Sequence, residues 1–153
     1  MSALKIVFPF LLILAFVSCQ KEDEITNPGD VENPGDSMMP TGVFNAVRSG
    51  IFQAQNGYNA EGMAQLGNDD ANIKWLRLAP DFNASLSTGA VTLYLSKNKN
   101  LSLNSTGSFL RVELVTRPGE HFYKIDPPVG DDFKFAILWC ASAGVQFGNA
   151  ELK

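Results

Sequence analysis

Phe133–Leu152, FKFAILWCASAGVQFGNAEL, is the stretch that decides the fold. One alternating set of positions holds Phe133, Phe135, Ile137 and Trp139, and the other holds Ala136, Leu138 and Cys140, so both faces of a strand here would be apolar. This pattern predicts a central strand covered on both sides, and the aromatic content and short length favour a strand over a buried helix. Ala141–Gly144 predicts a turn. Val145–Leu152 then returns as the second strand of a hairpin that closes the domain.

Six further segments upstream have the apolar pattern and the flanking turn residues of strands. They are Ser49–Phe52, Glu61–Leu66, Asn72–Leu78, Ala90–Ser96, Phe109–Thr116 and His121–Ile125. Asn56-Gly57 predicts a hairpin turn between the first two of them. About eight strands at spacings of roughly ten residues, without a helical period, predict an all-β antiparallel β-sandwich, with a small β-barrel or jelly roll as the alternative.

The first eighteen residues, 1–18, have the pattern of an export signal. Lys5 is followed by the apolar run Ile6–Val17, which is too short to span a bilayer and suits a signal peptide. The sequence from Phe16 to Cys19, FVSC, resembles a bacterial lipobox, although Phe16 stands where leucine is usual. We therefore expect Cys19 to carry the acyl chains of a membrane anchor, with an ordinary secretory signal as the alternative.

Residues 19–40 predict a tether between this anchor and the folded domain, which spans residues 41–153. The acidic run Gln20–Glu24 resembles the export tag of surface-exposed lipoproteins, and the alternative is a solvated charge run. Ile25–Pro40 contains two Asn-Pro-Gly-Asp turns and almost no apolar side chains, so it predicts a linker without a core. The expected location is the outer membrane, exposed at the cell surface, with the periplasmic face as the alternative.

Charge and residue types exclude several functions. The formal net charge of −4 argues against a nucleic-acid partner. His121 is the single histidine and is interpreted as a structural or surface residue, so neither a metal nor another cofactor is expected and a classical hydrolase is disfavoured. The acidic pairs 69–70 and 131–132 lack the ligand spacing of a calcium loop. Trp75 and Trp139 are predicted to be core residues, and Tyr58 an exposed aromatic residue.

Several of these segments together resemble the electron-transfer DM-thirteen domain family, a module often found beside cytochrome-like DOMON domains. The similar segments are Ser49–Phe52, the strand around Gly62, Leu76–Leu78, Leu93–Ser96, Ile137–Cys140 and Phe147–Leu152. The resemblance covers about residues 43–153 and implies a sandwich fold. It also implies redox chemistry at the cysteine that follows the tryptophan, which here is Cys140. Since the chain has no cytochrome-like domain, the electron donor or acceptor would be an external protein partner.

Two functions therefore remain open for Cys140. A redox thiol needs partial exposure and a neighbouring positive charge, for which Lys134 and His121 are the candidates by sequence. Alternatively Cys140 fills the core, as free cysteines commonly do, and the domain is a non-catalytic binding or adhesion module for a glycan or protein. In that case Cys140→Ser changes stability alone.

Overall fold

The computed structural model describes residues 39–153. The predicted signal peptide, Cys19, the acidic run and nearly all of the predicted tether lie outside these residues. Eleven strands are found in this range, and the one helical element is the 3₁₀ turn Leu86–Thr88. The strands are β1 Asn45–Ile51, β2 Gln53–Ala54, β3 Ala60–Glu61, β4 Met63–Asn68, β5 Lys74–Leu78, β6 Asn83–Ala84, β7 Val91–Ser96, β8 Phe109–Val115, β9 His121–Lys124, β10 Phe135–Cys140 and β11 Val145–Glu151.

These strands form antiparallel sheets. A four-stranded sheet has the order β1-β4-β5-β9, and a five-stranded sheet has the order β2-β11-β10-β7-β8. The short strands β3 and β6 pair with each other. Neither large sheet closes on itself within residues 39–153, so the predicted antiparallel sandwich is confirmed and its barrel alternative is wrong.

The core lies between the two large sheets. Its fully buried side chains include Leu66, Leu76 and Leu78 from the four-stranded sheet, and Leu93, Leu95, Leu138 and Phe147 from the five-stranded sheet. Burial of side chains of this size supplies the main stabilising free energy of a domain. The alternation of strand side chains explains why leucines recur at every second position in β5 and β7.

The predicted central strand is confirmed, because β10 lies in the middle of the five-stranded sheet. Ala136, Leu138 and Cys140 face the core. The alternate side chains face away from the core, on what we call the outer face of the five-stranded sheet. On that face Ile137 is fully buried and Trp139 half-buried, so both sides of the strand are covered to different degrees.

The first strand differs from its prediction. The β1 strand begins at Asn45 rather than at Ser49. The sequence pattern missed its first residues because they are exposed and show no apolar alternation. It pairs with β4 as expected, from Asn45 opposite Asn68 to Ile51 opposite Met63. The connection is longer than a tight hairpin, since β2 and β3 lie within it and β2 pairs with β11 in the other sheet.

The Asn56-Gly57 turn is present within this longer connection. Both residues have positive φ, 54° and 76°, and the N–H of Tyr58 donates to the carbonyl of Gln55 at 3.0 Å. Asparagine and glycine are the residues that adopt this conformation at least cost. The local prediction is therefore confirmed, whereas the two strands it was expected to join directly are not adjacent along the chain.

Candidate functional site

Cys140, the candidate redox residue, is the last residue of β10 and has no exposed surface. Its Sγ lies 3.2 Å from Oγ of Ser142, and that hydroxyl donates to the carbonyl of Thr88 at 3.5 Å. Ser142 belongs to an exposed turn, so the thiol lies beneath the surface at the end of the sheet. The arrangement is a buried thiol covered by one polar side chain.

Hydrogen bonding lowers the pKa of the Cys140 thiol. The side chain of Ser142 makes the largest contribution, burial opposes it by raising the pKa, and further hydrogen bonds from the backbone of Ala143 and Ser142 and the side chain of Thr88 lower it. None of these causes is a neighbouring charge. The thiolate is therefore favoured by dipoles alone, a weaker arrangement than the adjacent cation found at many reactive cysteines.

Gly89 shapes the cover over Cys140. It has φ of 136°, a backbone conformation that residues with a Cβ rarely adopt. A Cβ at this position would collide with Oγ of Ser142 and would lie 3.7 Å from Sγ of Cys140. The absence of a side chain at Gly89 thus allows the Ser142 hydroxyl to contact both the Cys140 thiol and the carbonyl of Thr88.

The two cations proposed to activate Cys140 lie elsewhere. His121 is buried in β9 of the four-stranded sheet, where its Nε2 lies 2.9 Å from the carbonyl of Arg117 and its ring stacks on Tyr123. Lys134 precedes β10, at the end opposite Cys140. Six residues of extended strand span roughly 20 Å, so its ammonium group cannot reach the thiol.

The first acidic pair has a structural role. Asp69 is 4% exposed and accepts hydrogen bonds from the N–H groups of Thr41 and Ile73 and from Nε1 of Trp75, at 2.9 to 3.0 Å. Burial, the largest single influence, raises the pKa of Asp69, but hydrogen bonds from Thr41, Ile73, Trp75 and Ala71 together outweigh it, so the pKa is lowered. Asp69 thus joins the start of the domain to the β4–β5 turn.

The second acidic pair is also used within the fold. Asp132 forms an ion pair with Nζ of Lys97 at 2.8 Å, and the hydrogen bond from Lys97 lowers the pKa of Asp132. The carbonyl of Asp131 accepts a hydrogen bond from Arg48. Within residues 39–153 no three His, Cys, Asp or Glu side chains come together as a metal-binding group.

Two aromatic predictions need correction, and a third is confirmed. Tyr58 is half-buried rather than exposed, because its ring stacks on Phe147 with centroids 3.9 Å apart. Trp139 is half-buried on the outer face of its sheet rather than in the core, because it alternates with the core residues Leu138 and Cys140. Trp75 is buried as predicted, and its indole N–H donates to Asp69.

A groove on the outer face of the five-stranded sheet was not anticipated from the sequence. It lies where β1 and β2 run beside β11, and its volume is about 340 Å³. We call it the β1–β11 groove. The end of β1 lines one side of it, and the other lining residues are Gln53, Lys99, Phe135, Asn149, Glu151 and Lys153. Hydrogen bonds at 3.0 Å in both directions between Ser49 and Lys153 hold its edge together.

Asn149 sets this groove apart from the rest of the domain. The residue is 2% exposed, and its Nδ2 is a buried donor with no hydrogen-bond partner in residues 39–153. It lies opposite Ile137 on one side and Gln53 on the other, on the outer face of the sheet. Buried side-chain donors are nearly always paired, so an unpaired one needs an explanation.

A second depression has a volume of about 530 Å³ and lies beside the β4–β5 turn. Several of its polar side chains bond within the protein, since Nδ2 of Asn68 donates to Oδ1 of Asn72 and Nζ of Lys74 donates to the carbonyl of Val129. It is larger than the β1–β11 groove but has no buried donor left unpaired. The smaller groove is therefore the stronger candidate site.

No protein-family model, curated protein or solved structure matches the chain. The resemblance to the DM-thirteen family consequently stays a prediction. Within residues 39–153 no helix is long and apolar enough to span a membrane.

Proposed function

We propose that the β-sandwich is a non-catalytic binding module in which Cys140 is a structural residue. The observation that carries this proposal is the complete burial of Cys140 among the core side chains. A reactive thiol needs access for its partner and a positive charge that favours the thiolate. Cys140 has neither, because its pKa is lowered by hydrogen bonds alone and its surface is covered.

The β1–β11 groove supports a binding function in a second way. Ligand sites are concave, and combine apolar or aromatic surface with a few polar groups that orient the ligand. The groove has the half-buried ring of Phe135 and the unpaired amide of Asn149 within it. Such a site takes a ligand without requiring a nucleophile or a general base.

The proposed module is exported and held at the membrane by acyl chains on Cys19. The support is the sequence before the domain: a signal-like apolar run, the cysteine, the acidic run and the Pro-Gly tether. Location at the outer membrane, facing the cell exterior, is part of this proposal. Incorporation of a radiolabelled fatty acid by the full chain, and its loss in Cys19→Ala, tests the anchor. Digestion by protease added to intact cells tests the outward orientation.

Redox exchange at Cys140 is the second candidate function, and the lowered pKa of its thiol is the observation that favours it. In this reaction the Cys140 thiolate attacks a disulfide of an external protein. A sulfur–sulfur bond forms between Cys140 and one partner sulfur, the partner's own disulfide breaks, and its other sulfur leaves as a thiolate. The exposed turn containing Ser142 would have to open before this attack.

Alkylation of Cys140 separates the two functions. The full chain is treated with iodoacetamide across a range of pH, in native buffer and in denaturant, and modification of Cys140 is read by peptide mass mapping. We expect labelling only after unfolding, at a rate typical of an ordinary thiol with a pKa of about 8.5. Fast labelling of the native protein at neutral pH would overturn the binding-module proposal and support redox exchange.

A further inference from the structure

The unpaired amide of Asn149 is the starting observation. Its Nδ2 is the single buried side-chain N or O atom without a hydrogen-bond partner in residues 39–153. Water does not satisfy it, because the residue is buried. An acceptor brought by a ligand into the β1–β11 groove would satisfy this donor, and a hydrogen bond formed in such a covered place is strong.

The walls of the groove offer both donors and acceptors. Lys99 contributes an ammonium group on an exposed side chain, and Gln53 contributes an amide. Glu151 contributes a carboxylate, which pairs with the ammonium of Lys153 at 3.0 Å. Charge is therefore mixed, and hydrogen-bonding groups of both kinds surround the ring of Phe135.

This combination discriminates among ligand classes. An aliphatic ligand would leave the Asn149 donor unpaired, which costs binding free energy. A phosphate or carboxylate ligand would be attracted by the Lys99 ammonium alone, because Lys153 pairs with Glu151, and the charge of an exposed ammonium is screened by solvent and salt. A sugar hydroxyl both donates and accepts hydrogen bonds, so it matches amide, ammonium and carboxylate groups together. The apolar C–H face of a sugar ring can in addition pack on an aromatic ring.

The size of the groove agrees with a small ligand. Its volume of about 340 Å³ lies at the lower end of the range of about 300–1,000 Å³ for ligand sites. We propose that the β1–β11 groove binds one neutral sugar ring of a glycan, with its C–H face on Phe135 and a hydroxyl accepting from Nδ2 of Asn149. This inference rests on the proposed binding function and names the site and the ligand class.

The test follows the side-chain amide signals of Asn149 by nuclear magnetic resonance in the full chain, kept in a detergent without a sugar headgroup. D-glucose, D-galactose, D-mannose, N-acetyl-D-glucosamine and a panel of neutral oligosaccharides are added in turn. We expect at least one of them to shift the Asn149 signals in a saturable way. In Asn149→Leu, binding is followed through the backbone amide signals of Gln53 and Phe135, which also line the groove. It should be weaker by about tenfold, which corresponds to the loss of one good hydrogen bond.

Asn68→Leu is the matched control, because it removes an amide that lines the larger depression instead. It should leave sugar binding unchanged. If no neutral saccharide shifts the Asn149 signals, or if Asn149→Leu binds as tightly as the wild type, the inference is overturned. If acetate or an acidic peptide shifts the Asn149 signals in a saturable way and none of the sugars does, the assignment of a sugar ligand is overturned, but the proposed binding function is not. Fast native labelling of Cys140, in contrast, would overturn the proposed function itself.

Discussion

Two buried amides of β11, only three residues apart, are treated differently by the fold. Gln146 is 6% exposed and Asn149 2% exposed, and both face the outer side of the five-stranded sheet. The Gln146 amide donates to Oε1 of Gln55 at 2.7 Å and to the carbonyl of Lys99 at 3.0 Å, and accepts from the N–H of Leu101 at 3.1 Å. Nδ2 of Asn149 has no partner in the described part of the chain.

The difference indicates which polar groups serve the fold. Gln146 ties the loop after β7 to the sheet, just as Asp69 ties the start of the domain to the β4–β5 turn with three hydrogen bonds. A structural polar group is buried together with its partners, because an unpaired one costs free energy. Nδ2 of Asn149 lies in a groove and stays unpaired in the described part of the chain, which is what we expect of a donor whose partner is a ligand.

The largest effect is expected for Gln146→Leu. This substitution leaves the N–H of Leu101 and the side chain of Gln55 without a partner, and frees the loop around Lys99. We expect the free energy of unfolding to fall by about 2 kcal/mol, as for other losses of buried hydrogen bonds. Urea denaturation measures it. A change below about 0.5 kcal/mol would show that the hydrogen bonds of Gln146 do not stabilise the fold, and the contrast between Gln146 and Asn149 would then not hold.

Gly89→Ala should come next, with a loss of about 1–2 kcal/mol, because the backbone conformation is unfavourable for alanine. The new Cβ would also displace the Ser142 hydroxyl from Cys140. We therefore expect faster alkylation of Cys140 in the folded variant than in the wild type. Unchanged labelling, with a normal loss of stability, would show that the Ser142 hydroxyl does not control access to the thiol.

Acid should act through Asp69. Its pKa is lowered in the folded protein, so its contribution to stability is complete above the unfolded pKa of about 3.9 and is lost as pH falls through the lower folded value. We expect Asp69→Asn to be less stable than the wild type at pH 7, and the gap between them to narrow below pH 4. Thermal melts across this range measure the gap. A gap independent of pH would contradict the role of the carboxylate charge.

Lys99→Ala should have the smallest effect on stability. Its side chain is exposed, and its backbone carbonyl, which the substitution retains, accepts the hydrogen bond from Gln146. We expect the free energy of unfolding to change by less than about 0.5 kcal/mol, as for most surface positions. Any loss of sugar binding in this variant can then be assigned to the groove. A larger loss of stability would mean that the side chain supports the loop.

The sequence predicts the fold well, because the apolar pattern reports burial directly. The two-sided apolar pattern of Phe135–Cys140 placed β10 at the centre of its sheet, and the leucines of β5 and β7 marked the core. The exposed start of β1 carried no such pattern, and the sequence could not show that β2 crosses to the other sheet.

The candidate site escaped prediction for a specific reason. In a regular strand, residues three apart face opposite sides, so Gln146 and Asn149 would be separated by the sheet. A bulge between Leu138 and Trp139 in the β10–β11 register brings both amides to the outer face, and leaves Phe147 in the core. The single sequence signal is Asn149 itself, because asparagine is uncommon within a strand and its neighbours Phe147 and Ala150 are apolar.

The stability of Asn149→Leu without ligand tests the central claim most directly. Leucine has nearly the same shape as asparagine and no donor to leave unpaired, so replacement of an amide held only by a ligand should be neutral or stabilising by about 1 kcal/mol. Urea denaturation of the two proteins gives the difference. A variant at least as stable as the wild type supports Asn149 as a ligand-binding group. A loss of more than about 1 kcal/mol would show that its amide is paired within the fold, and would contradict the account.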